Sequence, residues 1–294
     1  MSSSIPAIEA PRSLWSDAGH ALRRNRAAMT AAFVLGLLAL LVVFGPALSP
    51  WQFDKPDWEH IAMPPTLADG HLFGTDALGR DLLSRTLQGG RMSLLVGLVS
   101  TIVSLVIGIA WGATAGFIGG RTDRIMMRIV DILYALPFMF LVILLMVLFG
   151  RQIVLIFVAI GAINWLDMAR IVRGQTLGLK QREFVEAARV SGVGTARIIL
   201  RHIVPNLLGV VVIYVTLTIP QVILVESFLS FLGLGVQEPM TSWGALVSEG
   251  AQEMENAPWM LVFPSLFLAL TLFCFNFLGD GLRDALDPRD RSRT

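Results

Sequence analysis

Apolar positions in this chain neither alternate nor recur on one helical face. They gather into six runs, at residues 27–48, 92–117, 132–149, 153–168, 207–228 and 260–279. About 20 helical residues cross the roughly 30 Å of hydrocarbon in a bilayer, so each run is predicted to be a transmembrane helix. The fourth run is short and polar at its end. Arg23, Arg24 and Arg26 precede the first run, which is too long for a signal-peptide core. It is expected to be an uncleaved anchor. Pro137, Pro220 and Pro264 fall inside runs, where each removes a backbone donor and is expected to kink its helix.

Composition removes the soluble alternatives. Of the 294 residues, 54% are hydrophobic and 15% charged, and the mean hydropathy is +0.68. The predicted fold class is an all-α polytopic membrane protein. A net charge of +1 hides a strong asymmetry, because 18 of the 23 Lys and Arg residues lie in segments that share one side if the N-terminus is inside. The loop from Phe231 to Trp259 contains Glu238, Glu249, Glu253 and Glu255 but no basic residue. Basic residues near span ends are retained in the cytoplasm, so both termini are expected inside. Trp51 and Trp259 near outer ends, with Trp111 and Trp165 near inner ends, suit interfacial anchoring.

The resulting division is a cytoplasmic tail (1–26), a first span (27–48), an extracytoplasmic segment (49–91), a five-span core (92–280) and a cytoplasmic tail (281–294). In the extracytoplasmic segment Thr75 is read as an N-cap, with Asp76 and Asp81 toward the positive helix end and Gly89-Gly90 as a stop. Leu78, Leu82 and Leu87 would share a face, which predicts an amphipathic helix at the membrane surface.

The core is interrupted by a long polar and charged segment, 169–206. Residues 181–190 read as a helix carrying Glu186, Ala187 and Ala188, the two small residues allowing close approach of another surface. Gly192 and Gly194 break it, since glycine accepts a left-handed C-cap conformation. Thr195 is expected to cap a second short helix that Pro205 ends. The pattern predicts a helix, a glycine turn and a helix, projecting as a rigid knob.

Glu186-Ala187-Ala188, then Gly192, then Pro205 resembles the EAA loop of bacterial ABC importer permeases. His202-Ile203-Val204-Pro205 departs from the broad Ile-x-Leu-Pro ending, while Arg201 to Asn206 is similar to the Arg-His-x-x-Pro-Asn of the peptide and nickel importers. Phe73 to Arg91 resembles the Gly-Thr-Asp-x-x-Gly-Arg-Asp-x-x-Ser-Arg signature of C-type permeases in that family. Glu226 to Gly235, followed by Pro239 and Ser242-Trp243-Gly244, is similar to the segment after their fifth span. The resemblance implies a six-helix, type I importer permease with both termini cytoplasmic, in a bacterial inner membrane. It implies ATPase coupling through Glu186, Ala187, Ala188, Gly192, Gly194, Thr195 and Pro205. The implied partners are a second permease subunit, two cytoplasmic ABC ATPases that bind ATP and Mg, and an extracytoplasmic substrate-binding protein.

Missing motifs narrow the chemistry further. No Gly-x-x-x-x-Gly-Lys-Ser/Thr phosphate loop surrounds Lys55 or Lys180, so this chain is expected to bind no ATP and to be no enzyme. His20, His60, His71 and His202 are scattered, and no metal site is inferred from their spacing. The single cysteine, Cys274, cannot form an intrachain disulfide. Membrane lipid is the expected surrounding, and no nucleic-acid partner is expected. Asn164, Glu226 and Asn276 are the candidate pathway or gate residues, the two asparagines also suiting interhelical hydrogen bonds. Di- or oligopeptides are favoured over nickel, because the spans contain no histidine. A gradient-driven secondary transporter is the alternative from another class.

Overall fold

The computed structural model describes residues 14–150 and 153–286. The remainder of both predicted tails, and residues 151 and 152 between the third and fourth predicted spans, lie outside the described residues. The described chain is mostly helical and contains no named strand. In chain order the helices are α1 (Leu14–Arg24), α2 (Arg26–Leu48), α3 (Leu82–Ile118), α4 (Gly120–Tyr134), α5 (Phe138–Phe149), α6 (Ile153–Leu179), α7 (Glu183–Val190), α8 (Thr195–Ile198), α9 (Val204–Phe231), α10 (Trp243–Gln252) and α11 (Trp259–Leu286). A π-helical turn, Ile199–Ile203, joins α8 to α9.

Among the described residues, four stretches are long and apolar enough to cross a membrane: Arg26–Leu48, Leu82–Ile118, Thr195–Phe231 and Trp259–Leu286. They correspond to the first, second, fifth and sixth predicted spans. Many of their large apolar side chains are exposed, among them Phe33 and Phe44 on α2, Leu98 on α3, Leu224 on α9 and Phe273 on α11. Such faces need an apolar surrounding, which lipid supplies. The third predicted run is not one helix. The helix is interrupted between Tyr134 and Phe138, and Pro137 stands as the N-cap of α5 instead of kinking a continuous span. Proline lacks an N–H, and the residue before it avoids helical geometry, so the break falls where the sequence places the ring.

α3 is the axis of the fold, and its most extensive partner is α6. Gly108, Gly112 and Gly116 recur at four-residue spacing along the contact. A Cβ on Gly108 would lie 2.5 Å from Met168 Cβ, and one on Gly112 would lie 2.4 Å from the Ala169 carbonyl oxygen. Their absent side chains let the backbones approach closely, the usual way apolar helices gain contact without a hydrophobic driving force from lipid. Arg173 then ties α6 to α4 through a two-pronged pair with Asp123 (2.5 and 2.7 Å), which holds the Asp123 carboxyl below its ordinary range.

The helix expected within 49–91 does not stand as a separate surface element: residues 82–91 are the first turns of α3. Asp81, not Thr75, is the N-cap, accepting from Ser84 N at 2.8 Å, and α3 runs straight through Gly89-Gly90. Those glycines do not stop the helix because Trp243 packs there: a Cβ on Gly90 would sit 2.6 Å from the indole. Residues 49–81 instead form turns and two isolated bridges, Pro56 with Arg80 and Thr75 with Asp81, over the start of α3.

Candidate functional site

Around the C-terminal end of α3 the structure builds the expected knob. In α7, Glu183 and Glu186 occupy the first turn and Arg189 the last, each sign matching the helix dipole. Gly192 has φ +75°. Its N–H donates to Arg189 O and the Val193 N–H donates to Ala188 O, both near 3 Å, closing α7 in a Schellman turn. Val185 and Ala188 are buried in a cluster with Phe117 of α3, Val172 of α6, and Ile198, Ile203 and Leu207. Arg189 also lies over the Phe117 ring, 4.8 Å from its centroid. One face of the knob is therefore fixed to the bundle. Glu186, Ala187, Gly192, Gly194, Thr195 and Pro205 lie on the exposed face, together with Val190 at 88% and Leu200 at 68% exposure.

Two details of the knob differ from expectation. Gly194 is an extended N-cap at φ −64°, and Thr195 is the first residue of α8 without a capping bond. Pro205 does not end the second helix. It stands at the start of α9, where a missing N–H is tolerated, and the wide turn at Ile199–Ile203 carries the helix across it.

At the opposite end of α3 the residue signatures converge. Asp76 is 1% exposed and accepts from Leu78 N, Arg80 N and Arg80 Nε at 2.7 to 2.9 Å. Arg85, also 1% exposed, pairs with Asp76 and grips Glu249 of α10 through Nη1 and Nη2, at 2.6 and 3.0 Å. Arg80 Nη1 reaches Glu238 at 2.8 Å and holds that carboxyl below its ordinary range. Ser242 caps α10, and Trp243, wholly buried, donates from Nε1 to Thr86 O at 2.9 Å. Gly244 lies against the Ser227 backbone of α9. The signature around Phe73–Arg91 and those around Glu226–Gly235 and Ser242–Gly244 thus form one buried polar joint among α3, α9 and α10.

Glu226 belongs to this joint. Its carboxylate is fully buried and accepts from Ser93 Oγ at 3.1 Å and Ser230 Oγ at 2.6 Å; Ser93 Oγ in turn accepts from Trp243 N. Asn164 stands elsewhere, lining a cavity of about 380 Å³ with Tyr134, Asp167, Gln221 and Val225, while its Nδ2 donates to Ile160 O at 3.0 Å. Asn276 is exposed on α11. The three candidate pathway residues are not brought together.

Sequence reasoning placed Arg85 and Trp243 inside signatures and Glu249 in the acidic loop, but did not foresee the contacts that join them. Rarity of buried charge would single out Arg85, but the partner that meets it there, Glu249 of α10, lies more than 150 residues away. It also set the histidines apart, whereas His60 and His71 meet beside Asp57 in the 49–81 segment.

Comparison with known proteins gives the family. Residues 82–292 match the family of binding-protein-dependent transport system inner membrane components, and residues 13–65 match the N-terminal TM domain of oligopeptide transport permease C. The chain is 58% identical over 280 residues to the oligopeptide transport system permease protein OppC of Haemophilus influenzae, covering 95% of this chain and 90% of that one. The OppC protein of Escherichia coli K12 is also 58% identical, with 95% and 93% covered. The dipeptide transport system permease protein DppC of Bacillus subtilis is 46% identical over 276 residues, with 94% and 86% covered. With a knob packed at one end of α3, a signature joint at the other and a family match across most of the chain, this protein belongs to the inner-membrane permeases of binding-protein-dependent transport systems, as a C-type member of the peptide ABC importer group.

Proposed function

We propose that the chain forms half of the translocation pathway of an ATP-driven importer of di- and oligopeptides. The observation that carries this reading is the knob. A 183–205 segment anchored by Val185, Ala188 and Ile198, with Glu186, Ala187, Val190 and Leu200 outward, is built to transmit force to the bundle from something bound on its exposed face. Two cytoplasmic ATPases take that place in this reading, binding ATP and Mg themselves. A second permease completes the pathway, and an extracytoplasmic binding protein delivers substrate. The names of the OppC and DppC relatives support peptides over nickel. When ATP closes the ATPase dimer, the knobs are drawn together and the spans shift between inward-open and outward-open packings.

Glu186 is exposed and makes no salt bridge among the described residues, so Glu186→Lys should leave folding intact while lowering ATPase association and transport by tenfold or more. Gly192 has open space around its Cβ position but a left-handed backbone, so Gly192→Val strains the turn by about 1–2 kcal/mol. It should misplace the knob and reduce coupled ATP hydrolysis. Wild-type uptake and unchanged complex yield in both variants would remove the coupling role.

The proposed topology has six crossings and both termini cytoplasmic, with α5 and α6 supplying the third and fourth. It rests on the side-to-side distribution of Lys and Arg. In a Cys274→Ser background, cysteines introduced at Ser4 and Ser292 should resist an impermeant thiol reagent in intact spheroplasts, and one at Glu253 should react. Labelling of Ser4→Cys from outside would overturn the topology.

A further inference from the structure

We propose that Asp57, His60 and His71 form a divalent transition-metal site, for Zn²⁺ or an ion of similar ligand preference, that clips the irregular 49–81 segment onto the start of α3. One ligand atom from each residue lies within 4.8 Å of the other two. Tetrahedral zinc with bonds of about 2.0–2.2 Å needs ligand atoms roughly 3.4 Å apart. Asp57 Oδ2 is already 2.9 Å from His60 Nδ1 and 3.7 Å from His71 Nε2, so small side-chain shifts suffice. Two imidazole nitrogens with one carboxylate oxygen are a donor set that zinc takes readily.

His71 carries the second observation. Its side chain is 1% exposed, and Nε2 is a buried polar atom with no hydrogen-bond partner. At 3.7 Å the Asp57 oxygen is too far to be one. Burying an unsatisfied ring nitrogen is costly, and a cation beside it would remove that cost. Asp81 Oδ1 lies 2.9 Å from His71 Nδ1 and, as a carboxylate, can only accept, so Nδ1 donates there and Nε2 is the ring atom left for an ion, 3.7 Å from Asp57 Oδ2. Trp51 stacks on the imidazole with centroids 4.3 Å apart and fixes its plane. Asp57 Oδ1 accepts from Glu59 N, leaving Oδ2 for the ion. Asp57 and His60 side chains are 22% and 29% exposed, which opens the fourth position to water.

The three ligands come from a turn and a loop that no helix supports, while Asp81 is the N-cap of α3. A bound ion would therefore join the outer segment to the axis of the fold. The inference stands apart from the transport reading, since neither ATPase coupling nor peptide passage enters it.

The test uses the assembled transporter in lipid nanodiscs, purified without a histidine tag, stripped with EDTA, equilibrated with ZnCl₂ against a chelator of known affinity and analysed by elemental mass spectrometry. Asp57→Asn and His60→Ala alter partly exposed residues, and assembly is checked by size exclusion. Wild type should hold one more zinc per complex than either variant, with affinity at least tenfold above theirs. The ion should also slow proteolysis within residues 49–81 in wild type but not in His60→Ala. Equal zinc content in wild type and either variant, at whatever level, overturns the site and leaves the trio as hydrogen-bonded side chains only.

Discussion

Arg85→Ala should destabilise the protein by about 3–5 kcal/mol, the usual cost of breaking a buried ion pair from one side. The guanidinium is 1% exposed and serves two carboxylates on separate parts of the chain, Asp76 before α3 and Glu249 on α10. Removing it leaves Asp76, itself 1% exposed, with Arg80 as its remaining cation, and Glu249 without its two-pronged partner. Asp76 then lies in surroundings that disfavour charge, while Glu249, 32% exposed, keeps only the looser Arg80 contact at 3.8 Å. The damage should reach Trp243, because the same joint seats its indole on Gly89-Gly90. Arg85→Lys keeps a charge but cannot span both acids with a planar fork, so its loss should be smaller yet clear. Glu238→Gln provides the contrast: Glu238 is 64% exposed, and an exposed pair contributes about 0–1 kcal/mol. Thermal unfolding of the purified complex in detergent would rank the three. A melting temperature for Arg85→Ala equal to that of Glu238→Gln would show that the joint contributes little to stability.

That joint also marks where sequence reading reaches its limit. Run length placed α2, α9 and α11 closely, because crossing a bilayer is set by local apolar content. The end of α7 was equally legible, since a left-handed residue after a helix is a local demand and Gly192 meets it. Gly89-Gly90 sent the reading wrong for the complementary reason. Local propensity says glycine stops a helix, but Trp243 fills the space the two glycines leave, and it arrives from more than 150 residues downstream. Pro205 misled for a local reason, because it stands in the first turn of α9, where a missing donor is tolerated, and a π turn leads the helix into it. Gly108, Gly112 and Gly116 were available as a small-residue stripe and needed only that spacing to be sought. His60 and His71 were not legible as a pair, since turns and not a helical period bring them together.

Concentrative uptake should vanish when the permease pair is reconstituted without its ATPases, and no imposed proton or sodium gradient should restore it. Alternating access requires moving the bundle between two packings, and inverting a 1:99 population needs about 5.5 kcal/mol of differential binding. A gradient-driven carrier draws this from an ion that titrates or binds at membrane depth. Glu226 and Asp167 are the acidic candidates in the spans. Glu226 is fully buried and already accepts from two serine hydroxyls in the joint, away from the cavity at Asn164. Asp167 lines that cavity, but among the described residues no basic group and no second carboxylate lines it with Asp167. Neither arrangement offers a relay of ionisable groups across the bundle. In the proposed function the lever is the knob, which is anchored on Phe117 at one end of α3 and exposes its other face. Proteoliposomes holding both permeases should therefore accumulate peptide above the outside concentration only when the ATPases, the binding protein and ATP are supplied. Accumulation driven by an ion gradient in the permeases alone would transfer the energy source to the spans and make the knob a bystander.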